Sequence, residues 1–159
     1  MKLLRASPDQ FVFHVGTRER GMLGEVLRMY PLVPPAHHRL AAQGQPAGDD
    51  TQRLLDEALA EQRRESREKV RVMLAAPGRF RELAHGFELT LTPEQMEWLL
   101  QVLNDVRVGC WLQLGEPDDV ELPPLEKPAA LHWVTMEFCG LWESLLLAAL
   151  GVEQSPQWR

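Results

Sequence analysis

At 159 residues, with 45% hydrophobic and 25% charged side chains, the chain has the size and composition of one soluble globular domain, able to bury roughly two thirds of its unfolded surface. The net charge of −6 is uneven: residues 1–75 carry 12 basic and 10 acidic groups, residues 76–159 carry 5 and 13. Such an acidic half argues against nucleic-acid binding, which needs a basic face against phosphate. Cys110 and Cys139 are too few for a secreted disulfide framework, and no apolar run reaches the ~18 residues of a membrane span. MKLLRASPDQ has no signal-type apolar region, so the expectation is a cytoplasmic protein off the membrane.

In chain order, residues 2–6 and 11–15 are short apolar runs around Ser7-Pro8-Asp9-Gln10, which predicts a β-hairpin. Thr17 is placed to cap a helix over 18–30, with Met22, Leu23, Val26, Leu27 and Tyr30 at helical spacing, and Pro31, Pro34 and Pro35 end it. Residues 41–50 are small, Gly-containing and polar, and read as a loop. Thr51–Ala75 is a long helical pattern. Its charged middle reads as a solvated face with opposite-charge i,i+4 pairs Arg64–Glu68 and Glu65–Lys69. Pro77-Gly78 closes it, a short helix is expected near 79–85, and Phe87–Leu91 alternates with period two as a strand that adds to the hairpin.

Thr92-Pro93-Glu94-Gln95 is a capping box with proline at the first helical position. The helix it starts runs to about Leu114 and stops at Gly115. It is apolar nearly all round, as buried helices are. The acidic loop 116–128, with five carboxylates and four prolines, reads as extended and exposed. Ala129–Leu150 is a last, largely apolar helix closed by Gly151. The fold expected is therefore a mainly helical α+β single domain over residues 1–159. Three to four helices form its bundle, with a small antiparallel sheet from the hairpin and residues 87–91.

Asn104, Asp105 and Arg107 interrupt the apolar helix, and charges there need partners or a cavity. Two readings follow. In one, Asp105 and Arg107 find partners on neighbouring helices and fix the packing. In the other, the three residues line the cleft of a small-molecule-binding or enzymatic bundle beside His132 and Glu143. His132, Thr135, Cys139 and Glu143 share a helix face, with Cys110 on the preceding helix. These are residue types that bind zinc, but the paired ligand spacing of structural zinc sites is missing, so neither a metal nor a cofactor is assigned. His37-His38 are adjacent and cannot easily chelate together. The acidic loop lacks the residue alternation and central Gly of a calcium loop. No GxSxG, HExxH, Walker or GxGxxG pattern occurs, so no catalytic residue is assigned and the chain reads as a non-enzyme.

Trp98-Leu99 followed by Leu103-Asn104-Asp105-Val106-Arg107 resembles the central motif of a bacterial family best known in actinobacteria, the domain of unknown function two thousand and seventeen. Glu61-Gln62-Arg63-Arg64-Glu65 is similar to that family's Arg-rich helix, and Trp142-Glu143-Ser144-Leu145 to its C-terminal helix. Together these stretches extend the likeness over roughly residues 1–150. The chain departs from the pattern at Trp111, where the family has Gly, and at Gln113, where it has Arg, so a ligand role resting on that Arg does not transfer. The resemblance implies no activity. Family genes lie near the adaptor of the Clp protease, which implies a link to regulated proteolysis. The expectation is a non-catalytic interaction or adaptor protein, with the acidic loop and helix 51–75 meeting a protein partner. The apolar ring of Leu141, Trp142, Leu145, Leu146 and Leu147 further predicts a homodimer.

Overall fold

The computed structural model describes residues 1–35, 49–117 and 126–151. In chain order these form β1 (Lys2–Ser7), β2 (Gln10–Val15), α1 (Thr17–Met29), α2 (Asp49–Ala75), β3 (Phe80–Glu82), β4 (Phe87–Leu91), α3 (Pro93–Gln113) and α4 (Ala129–Ala149). His37-His38, Asp118, Asp119, Glu121 and the final eight residues lie outside the described residues.

The four strands form one antiparallel sheet in the order β1-β2-β4-β3. Phe11 opposes Leu91, Phe13 opposes Leu89 and Val15 opposes Phe87. Because side chains alternate along a strand, this register puts Phe11, Phe13, Val15, Leu89 and Leu91 on one face. That face is buried against the helices. From α1, the Arg20 guanidinium lies 4.2 Å from the Phe87 ring centroid and 5.2 Å from that of Phe80, a cation–π contact between helix and sheet.

The short helix expected near 79–85 is instead β3 and its turn into β4. Phe80 pairs with Leu89 and Glu82 with Phe87, so the sheet edge recruits the segment. Gly86 makes the turn possible: its φ is +92°, and a Cβ there would stand 2.6 Å from the Val15 carbonyl oxygen. Only glycine fits both demands.

Helix ends follow side-chain chemistry. Gly16, not Thr17, is the N-cap of α1, and its N–H donates to Glu19 Oε2 at 2.7 Å. At α3 the expected box is present: Gln95 N–H donates to Thr92 Oγ1 at 3.2 Å, and Thr92 N–H to Gln95 Oε1 at 3.0 Å. On α2 the ion pairs run i,i+3 rather than i,i+4. Arg64 reaches back to Glu61 at 2.6 Å and Arg71 to Glu68 at 2.9 Å.

The core is one cluster shared by sheet and helices, and the α3–α4 contact is its largest helix pairing. Val102, Leu103, Val106 and Cys110 of α3 are buried there with Phe138, Cys139, Trp142 and Leu146 of α4. α3 is not buried all round: Glu94, Glu97, Gln101 and Asn104 keep one stripe in solvent. Trp142 and Leu146 are fully buried within the chain's own core, and Leu145 and Leu147 half-buried, leaving Leu141 as the exposed member of the predicted apolar ring. Much of the apolar excess attributed to self-association is therefore used inside the fold. Among the described residues, no helix is long and apolar enough to cross a membrane.

Candidate functional site

The polar interruption of α3 divides between two unrelated jobs. Asp105 faces the chain leaving α1. Its Oδ1 accepts the Leu32 N–H at 2.6 Å and the Val33 N–H at 3.3 Å. Arg63 of α2 donates to the Val33 carbonyl at 2.8 Å and stands 4.0 Å from Asp105 Oδ2. Both side chains are only 16% exposed. The proline-rich stretch after α1 has no helix or strand to satisfy its amides, so a carboxylate and a guanidinium satisfy them instead.

Gly109, one turn on from Asp105, completes the seat. A Cβ there would lie 2.6 Å from the Leu32 side chain and 2.9 Å from its carbonyl carbon. The residue at 109 must therefore be small for the Leu32 backbone to come within reach of Asp105.

Arg107 turns the other way. Its Nη1 donates to Glu143 Oε2 of α4 at 2.9 Å. Arg107 is 49% exposed and Glu143 10%. Glu143 Oε1 is buried with no donor among the described residues. Burial pushes the Glu143 carboxyl above the ordinary glutamate range, and the Arg107 charge offsets only part of that.

Asn104 is exposed. With Asp105, Gln101, Arg63 and Tyr30 it borders a groove of about 310 Å³ that does not include Arg107, His132 or Glu143. His132, half-buried, sits three turns from Glu143 on α4, about 16 Å of helical rise. The five residues thus do not converge. Asn104 and Asp105 lie toward α2, Arg107 and Glu143 bridge α3 to α4, and His132 stands apart near the start of α4.

Cys110 and Cys139 are free and buried. Burial pushes their thiols up to about 11 and about 12 respectively, so both stay protonated and poorly nucleophilic at neutral pH. No three His, Cys, Asp or Glu side chains come together as a metal set among the described residues. Trp111 donates its indole N–H to the Pro117 carbonyl at 3.2 Å, tying down the chain as it leaves α3.

Arg63 is the participant that sequence reasoning missed. It sits in a charged run, and its neighbour Arg64 is 77% exposed. Its only sequence signal is position: Arg63, Ser66, Val70 and Met73 share the face that α2 turns inward. No family model, curated protein or solved structure matches the chain.

Replacing Asp105 by Ala should lower the unfolding free energy by about 2–4 kcal/mol, since two amides and a guanidinium lose their acceptor in a largely buried place. Asn104→Ala, at an exposed position, should change it by less than about 0.5 kcal/mol; urea denaturation reads both. For Glu143, the folded-state carboxyl titrates above the unfolded one. In the intervening window the folded chain therefore holds a proton that the unfolded chain has released, and stability falls as pH rises. Glu143→Gln should remove that response. In urea melts, the stability of the variant relative to the parent should rise as pH climbs above the ordinary glutamate range.

Proposed function

We propose that the chain is a non-catalytic cytoplasmic interaction protein that meets its protein partner through the N-terminal half of α2. The observation that carries this is the exposure of that half. Over residues 50–62 no side chain is fully buried among the described residues, and Leu54 is 61% exposed. Ser66, Val70 and Met73 anchor the rest of the helix in the body of the fold. A helix much longer than its packing requires, with an exposed leucine among charged side chains, suits a partner that covers it. The engaged state of Asp105 and Arg107 further disfavours the alternative of a ligand cleft at Asn104, Asp105 and Arg107.

The resemblance of Leu103–Arg107 to the family named above supports a partner belonging to regulated proteolysis. A photo-crosslinking side chain at Leu54 in living cells should capture a discrete protein, identifiable by mass spectrometry, while the same group at exposed Glu97 should not. Absence of a specific product at positions 54, 58 and 61 alike would argue against α2 as the contact.

Self-association belongs to the same proposal. Its surface is the outer face of α4, where Leu131, Val134 and Leu141 are 59%, 44% and 56% exposed. Sedimentation should show a dimer that Leu141→Glu converts to a monomer without loss of melting temperature. A monomeric parent protein would remove homodimerisation from the reading. Leu146→Glu is unsuitable here, because Leu146 is buried in the chain's own core.

A further inference from the structure

Strand β1 lies at one edge of the sheet. It pairs with β2 on one side, and its backbone makes no hydrogen bond on the other side among the described residues. Alternate N–H and C=O groups along such an edge point away from the sheet and can pair with a further strand. All six residues of β1 are exposed, Leu3 at 37% and Leu4 at 45%. The opposite edge, β3, offers three residues.

The charge along the β1 edge has a sign. Lys2 and Arg5 lie on β1, and neither β1 nor β2 carries a carboxylate. Lys2, Arg5 and Asp9 of the turn form no ion pair among the described residues. Glu88, whose charge reaches Arg5, stands two strands away on β4 and is held by Arg81 through two hydrogen bonds. Glu19 is taken by the N-terminal ammonium and the Gly16 N–H. Two cations on this edge are therefore uncommitted.

These features select the occupant. A second copy running antiparallel along β1 would bring two lysines and two arginines to one seam with no carboxylate between them, and like charges across strands oppose pairing. Leu4 is the extra residue of a bulge between Leu3 and Arg5, which limits the regular run to Arg5–Ser7. Backbone pairing over so short a run needs help from side chains, and here that help is opposite charge and apolar contact.

We propose that β1 takes up an extended acidic segment of a partner protein as a fifth strand of the sheet. Its carboxylates meet Lys2 and Arg5, its apolar side chains meet Leu3 and Leu4, and its backbone supplies the missing hydrogen bonds. The site is apart from the exposed half of α2 and does not rest on the reading of that helix.

The probe is a short capped peptide alternating glutamate and valine, with its lysine–valine counterpart as control, each titrated into the full chain at neutral pH. Proton–nitrogen correlation spectra and amide hydrogen exchange of residues 2–7 are the readouts. The acidic peptide should shift the Lys2–Ser7 amides saturably and slow exchange of those facing outward; the basic peptide should do neither. N-methylation of two adjacent central residues blocks both edges of the peptide without changing its charge, and should remove the protection. Lys2→Glu with Arg5→Glu should weaken the acidic peptide about tenfold and admit the basic one. Should that variant fail to fold, Lys2→Gln with Arg5→Gln should weaken binding about threefold. Equal binding of both peptides, an N-methylated peptide that binds as well as its parent, or unchanged exchange in β1 would each overturn strand addition. Shifts confined to residues 50–62 would overturn the β1 site while leaving the α2 contact standing.

Discussion

The Asp105 carboxylate gathers the amides of Leu32 and Val33, and Arg63 takes the Val33 carbonyl from the opposite side. The chain leaving α1 is thereby tied at once to α2 and α3. Three prolines lie within residues 31–35, and proline donates no hydrogen bond. Without an external acceptor, the amides of Leu32 and Val33 would be left unpaired in a crowded place. Gly109 lets the backbone approach, Asp105 satisfies it, and Arg63 carries the compensating charge. Where α1 sits over the sheet and how α2 crosses α3 both depend on this junction.

The α3–α4 pairing is built differently. Its interior is apolar on both sides, and apolar surfaces alone specify helix register weakly. The Arg107–Glu143 bridge is a polar link between the two helices, yet it is poorly balanced: a half-exposed guanidinium meets a buried carboxylate whose other oxygen has no partner among the described residues. Such a pair adds little net stability, because desolvating the acid offsets much of the Coulombic attraction. What it supplies is a preference for one alignment over a neighbouring one. The stability of the pairing comes from Val102, Leu103, Val106, Phe138, Trp142 and Leu146.

Elements with a strong local signal were legible in the sequence. The hairpin has a turn tetrapeptide, β4 alternates cleanly, and α3 begins with a capping box whose two hydrogen bonds are both present. Residues 79–85 carry no strand signal because three residues are too few to show a period; pairing with β4 overrides their local preference. That Asp105 and Arg107 would need partners was legible, since both interrupt an apolar helix. Their partners were not. Asp105 is bound by backbone amides some seventy residues away and by one arginine among several on α2, and neither carries a sequence mark. The apolar ring of α4 was visible, but which members face inward depends on where α3 lies.

Among the polar residues conspicuous in the sequence, Asp105, Arg107 and Glu143 are engaged within the fold. The Asp105 carboxylate, accepting two amides and facing a guanidinium, is largely committed to the fold, whereas Arg107 gives Nη1 to Glu143 and stays half-exposed. The groups that remain chemically open are elsewhere, and α2 connects them. Its first half offers an exposed apolar and charged face, and its second half lines a groove together with Arg79 and Trp98. Arg79 donates to Gln95, whose side chain also accepts the Thr92 N–H, so the segment before β3 is tied to the start of the central helix. The exposed half of α2 is therefore continuous with a half anchored in the body of the protein by Arg63, Ser66, Val70 and Met73.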